Sequence, residues 1–182
     1  PKITIKLGKD ISFIKKVDVL KFQKSVTNSS STHIKSDFFI FADKATDKQA
    51  GIFIKRLNQA GSYLIPIPDR VKKTFIKYDK VKIGGYYYDS VIGINTEPLN
   101  KAEIEAVNDE FKESGYINFE NRLVKFYHRI VGVNRQVFFV ASYWQRIPNE
   151  LLPWQKKNMN TKQLAFLKKF EEESELNLTV LE

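Results

Sequence analysis

Few residues in this chain combine the types and spacings that catalysis needs. It has no cysteine, which removes thiolate nucleophiles, disulfides, iron–sulfur clusters and cysteine zinc sites together. Its histidines, His33 and His128, fall in no HExxH or similar arrangement, so each reads as a structural or surface residue. General acid–base work by His128 has no partner that the sequence can name. Ser90, Ser114 and Ser142 have no base beside them and no GxSxG elbow around them. Gly84-Gly85 is followed by three tyrosines, not by the GKS, GKT or GxGxxG that cradles a phosphate. The secondary amine of Pro1, a conceivable nucleophile, has no supporting residue nearby.

Acids are the remaining catalytic candidates. Metal-dependent nucleases pair an Asp with a downstream acid-x-Lys, so that two carboxylates hold a divalent ion while the lysine helps polarise water. Asp69, Asp89 and Glu110-Phe111-Lys112 supply those residue types. However, Glu110 and Lys112 fall in a segment with strong helix signals, where that arrangement belongs on a strand. A solvated acidic face with Glu103, Glu105, Asp109 and Glu113 is the simpler reading. No catalytic residue, metal ligand or cofactor is therefore predicted.

Cations interleaved with aromatic rings offer more. If Gly84-Gly85 is a two-residue hairpin turn, Ile83 pairs with Tyr86, Lys82 with Tyr87, Val81 with Tyr88 and Lys80 with Asp89. Alternation then puts Val81, Ile83, Tyr86 and Tyr88 on a core face and Tyr78, Lys80, Lys82 and Tyr87 on the other. With Lys72, Lys73 and Lys77 nearby, that second face offers ammonium groups to phosphates and a ring to an unstacked base. A plain solvated face with a Lys80–Asp89 pair is the bland alternative. If residues 118–131 form a helix, Arg122, Lys125 and Arg129 share one side while Leu123, Phe126, Tyr127 and Ile130 point inward. Arg135 and Arg146 extend that patch, and Trp144 and Trp154 with Lys156 and Lys157 make a third concentration.

The elements that must position these residues read as follows. Residues 2–7 alternate Ile3, Ile5 and Leu7 with polar neighbours, a strand pattern. Residues 11–26 suit helix or strand, and 27–32 (TNSSST) read as a loop. Residues 37–42 and 51–57 are apolar strands, and 62–68 is a strand stopped by Pro66 and Pro68. The hairpin comprises 77–83 and 86–92. Residues 100–114 form a helix: Asn100 caps it, Glu103 completes a capping box, Leu99 and Ile104 form a staple, Ile104, Val107 and Phe111 make the apolar stripe, and Gly115 stops it. Residues 136–145 read as a buried strand, 161–174 as a helix with Leu164, Leu167 and Phe170 inward, and 176–181 as a short strand. The expected fold is a single compact α+β domain spanning residues 1–182, with a mostly antiparallel sheet around the Gly-Gly hairpin and about three helices.

Composition sets the frame for function. An apolar fraction of 42% with 13% aromatic residues is enough to fill a core without staples, which makes intrinsic disorder a poor explanation. No apolar run reaches the roughly 18 residues that span a bilayer, and the first ten residues lack a secretory apolar run, so no membrane partner is expected and the location expected is the cytoplasm, or a virion or other assembly. The formal charge of +9 is uneven: residues 1–88 hold 18 basic and 7 acidic side chains, residues 121–169 hold ten basic and one acidic, and residues 170–182 hold five acids and no base. A basic face is the expected consequence. The leading expectation is a non-enzymatic protein binding nucleic acid, DNA or RNA. The alternative is an interaction or assembly subunit using Trp, Tyr and Arg against an acidic protein surface, with oligomerisation open to it; a metal-dependent nuclease comes third.

Overall fold

The computed structural model describes residues 2–18, 34–45, 48–57, 66–96, 101–116, 120–131 and 137–182. Alternating and β-branched runs become strands: β1 (Thr4–Leu7), β2 (Ser12–Asp18), β3 (Ile34–Ala42), β4 (Lys48–Leu57), β5 (Lys77–Ile83), β6 (Tyr86–Ile94), β7 (Arg122–Val131), β8 (Val137–Arg146) and β9 (Leu178–Leu181). Helices are the one-turn α1 (Asp69–Lys72), α2 (Lys101–Glu113) and α3 (Thr161–Asn177). Seven strands make one antiparallel sheet in the order β2-β3-β4-β8-β7-β6-β5, and β1 pairs with β9 in a separate ribbon. The fold is α+β, as the sequence pattern requires.

Each face of the large sheet has its own core, because the strands are apolar on both sides. On one face Phe38, Phe53, Val124, Val140 and Trp144 pack with Phe75 and with Val107 and Phe111 of α2. On the other, Tyr88, Leu123, Ala141 and Tyr143 pack with Leu167 and Phe170 of α3 and with Leu178 and Val180 of β9. Gly51 allows the first core to close. A Cβ there would lie 2.6 Å from Phe38 Cζ and 2.6 Å from Trp144 Cη2, whose rings stack across the glycine.

The helices obey local chemistry. Gly115, at φ +80°, ends α2 as expected; Leu99 and Asn100 lie outside the described residues, as do 27–32 and 58–65. At the start of α3, Asn160 Oδ1 accepts from the Gln163 backbone N–H and Gln163 Oε1 accepts from the Asn160 backbone N–H, each at 2.9 Å. Gln163 also donates to the Leu151 carbonyl at 2.7 Å, so Gln163 is buried while Leu164 is 50% exposed. The expectation that Leu164 points inward fails because the reciprocal cap fixes the helix phase one residue earlier. The helical reading of 118–131 fails as well, since residues 122–131 are β7. Flanked by β6 and β8 and covered on both faces, this strand needs apolar residues at both parities, which erases the period-2 signal.

Candidate nucleic-acid interface

The β5–β6 hairpin forms because Gly84 and Gly85 supply the two positive φ angles, +56° and +94°, that a tight turn with native strand twist demands. That turn fixes the register: Ile83 faces Tyr86, Lys82 faces Tyr87, Val81 faces Tyr88 and Lys80 faces Asp89. Tyr87 is 65% exposed, and Lys80 and Lys82 on the same face are also exposed. Tyr88 is buried against Phe139. Tyr86, expected in the core, is instead 40% exposed, because the Arg129 guanidinium lies 3.7 Å from its ring and occupies the space beneath it.

Below the exposed residues a polar network anchors this face. Tyr78 donates its hydroxyl proton to Asp89 Oδ1 at 2.5 Å, His128 Nδ1 lies 3.0 Å from Asp89 Oδ2, and Lys80 Nζ lies 3.7 Å from Oδ1. Burial acts to raise the Asp89 carboxyl, but the hydrogen bonds from His128 and Tyr78 and the nearby positive charge outweigh it and hold Asp89 down to about 2. His128 is buried at 1% exposure, its ring packs on Phe138, and its Nε2 has no hydrogen-bond partner among the described residues.

The basic rim comes from neighbouring segments. Lys72 Nζ lies 5.1 Å from the centre of the Tyr78 ring while held by Asp69 at 2.7 Å, and the Asp69 hydrogen bond raises its ammonium above the ordinary lysine value. Lys156 donates to the Lys73 carbonyl at 2.8 Å, which joins the third basic concentration to the first.

Other expected members go elsewhere. Lys77 lies on the opposite face of the hairpin, bound to Glu171 of α3 at 2.6 Å. In strand β7 the helical side of Arg122, Lys125 and Arg129 is split. Arg122 is buried, with its guanidinium 5.2 Å from the centre of the Trp144 ring. Lys125 and Arg129 point to the α3 side, where Arg129 bonds Glu182 and Lys125 donates to Ser90 Oγ at 2.8 Å. Arg146 is half-buried at the end of β8 opposite Arg122, Trp144 is buried, and Arg135 lies outside the described residues. The nuclease triad does not assemble: Asp69 pairs with Lys72, Asp89 with His128, and Glu110 with Lys15 of β2. Among the described residues no group of three or more metal-ligating side chains converges.

Two partnerships have no counterpart in the sequence pattern, His128 with Asp89 and Lys125 with Ser90, because each joins β6 to β7 across intervening α2. No local motif encodes them; only the strand register does. Among the described residues no helix is long and apolar enough to cross a membrane. In comparisons with known proteins, no family model, no curated protein and no solved structure matches this chain, so the functional reading rests on its geometry.

Proposed function

We propose that the outward face of the β5–β6 hairpin binds nucleic acid, with single strands preferred over duplexes. Tyr87 carries the proposal: a 65% exposed ring, directly across from Lys82 and on the same face as Lys80, provides a stacking surface beside two cations. Bases in a duplex hide their faces from such a ring, whereas an unpaired base can lie on it. Lys72, Lys73 and Lys156 continue the positive charge towards the base of the hairpin. The exposed Lys72–Asp69 pair is worth little to the fold, so exchanging Asp69 for a phosphate costs little.

The test is binding of labelled single-stranded and duplex oligonucleotides over a salt series. Affinity strongest at low salt and falling linearly on a log–log plot is expected, because bound lysines release counterions. Undetectable binding at low salt overturns the proposal. The chain is then better read as an interaction or assembly subunit, whose candidate contacts are the exposed Phe13, Leu164 and Leu176.

A further inference from the structure

The opposite face of the same hairpin holds a different kind of site. Between β5–β7 and α3 lies a cleft of about 160 Å³, lined by Lys77, Asp79, Ser90 and Lys125 with Glu171 and Glu175 of α3. Lys125 Nζ sits 2.8 Å from Ser90 Oγ and 5.1 Å from the centre of the Tyr127 ring. Ser90 is 6% exposed and Lys125 half-buried, so the pair is shielded from bulk water yet borders the cleft.

We propose that Ser90 and Lys125 are a nucleophile and its general base, and that the cleft accepts small, uncharged acyl esters. A hydroxyl gains nucleophilicity when a base within hydrogen-bond reach can take its proton, and Ser–Lys pairs supply that arrangement. Lysine serves as a base only as the free amine. Burial pulls the Lys125 ammonium below its ordinary value, against Glu175 and Glu171 of α3 and Asp79 of β5, which pull it up; Lys77 pulls in the same sense as burial. Tyr127 presents a phenol that burial, and then Glu175, push up, so it remains uncharged beside the amine. The volume is close to that of a cavity that holds one benzene-sized group. Asp79, Glu171 and Glu175 disfavour a negatively charged one.

The chemistry balances without a cofactor. As the Ser90 Oγ–carbon bond forms, Lys125 takes the hydroxyl proton and the carbonyl oxygen becomes an oxyanion, with Lys77 the other cation on the cleft wall. Collapse expels the alcohol, which takes the proton from Lys125. Water then attacks acyl-Ser90, again losing a proton to Lys125; the adduct breaks its bond to Ser90 Oγ, which takes that proton back from Lys125 as the carboxylic acid leaves.

Diisopropyl fluorophosphate tests the nucleophile directly: attack forms an Oγ–phosphorus bond and expels fluoride, leaving an adduct located by peptide mass spectrometry. The native protein should carry the adduct at Ser90, and urea-unfolded protein should not. A native protein without adduct at Ser90, or labelling equal in the unfolded chain, overturns the proposal without recourse to any variant. Provided Lys125→Met melts cooperatively, it should slow labelling by about 100-fold or more, and an unchanged rate overturns the role of Lys125. Oligonucleotide binding on the opposite face is independent of either result.

Discussion

Lys77 and Lys80 are three residues apart on one strand and have opposite fates. Lys77 faces α3, where Glu171 neutralises it, and the same face sets Glu173 on Lys48 and Glu182 on Arg129. The acidic stretch that closes the sequence thus folds back on the basic residues of one side of the sheet. Lys80 and Lys82 emerge on the other side, where Asp89 is the acid beside Lys80 and is already shared with His128 and Tyr78. Net charge alone would treat all of these lysines as equivalent. Strand parity decides which of them meet the acids at the end of the sequence.

The largest expected contrast between the two faces is in stability. Tyr88, 1% exposed, should cost about 3–5 kcal/mol when replaced by Ala, the range for emptying a buried aromatic site. Its sequence neighbour Tyr87 should cost within about 0.5 kcal/mol, the usual limit for surface changes away from special features. Urea denaturation of both variants checks this, and equal losses would mean that the hairpin faces are misassigned.

Acid titration probes the network beneath the basic face. Asp89 has its folded value held at about 2 against an ordinary 3.8, so its stabilisation is fully present above 3.8 and is lost as pH falls through about 2. The difference amounts to about 2 kcal/mol. Asp89→Asn should therefore destabilise the protein near neutrality and lose much of that penalty at the acid end. A stability gap that stays constant across that window would show that the carboxylate charge is not what Asp89 contributes.

In binding, Tyr87→Ala should weaken single-strand affinity by about 1–3 kcal/mol while leaving weak duplex binding little changed. Lys80→Ala and Lys82→Ala should act on every sequence alike, each flattening the salt slope by about one phosphate contact. Parent-like binding by all three variants would reduce the basic face to a solvated surface.

The hairpin was legible in the sequence because a two-residue turn permits one register, and one register fixes every face along both strands. β7 was not legible. Arg122, Lys125 and Arg129 recur at spacings of three and four, which imitates a helical stripe, while an interior strand shows no alternation to contradict it. Val124, Phe126, Tyr127, Ile130 and Val131, rich in branched and aromatic side chains, were the available strand signal. The Asn160–Gln163 cap was equally readable, having the same spacing as the pair proposed at Asn100 and Glu103. The Ser90–Lys125 and Asp89–His128 pairs were not, since chemistry created by a strand pairing that joins residues 35 and 39 positions apart leaves no local trace.

The smallest expected effect is also the most discriminating. Lys77→Ala removes one positive charge from the same strand as Lys80, and any account based on net charge predicts the same loss of affinity from both. The geometry predicts otherwise, because the Lys77 ammonium lies on the α3 side and is already engaged by Glu171. Its removal should leave the salt slope and single-strand affinity unchanged. Stability should fall by less than about 1 kcal/mol, since both partners of the pair retain contact with water. Parallel salt titrations of Lys77→Ala and Lys80→Ala make the comparison with total charge held equal. Identical slopes would mean that binding responds to the charge of the whole molecule, and the assignment of one face as the interface would fall.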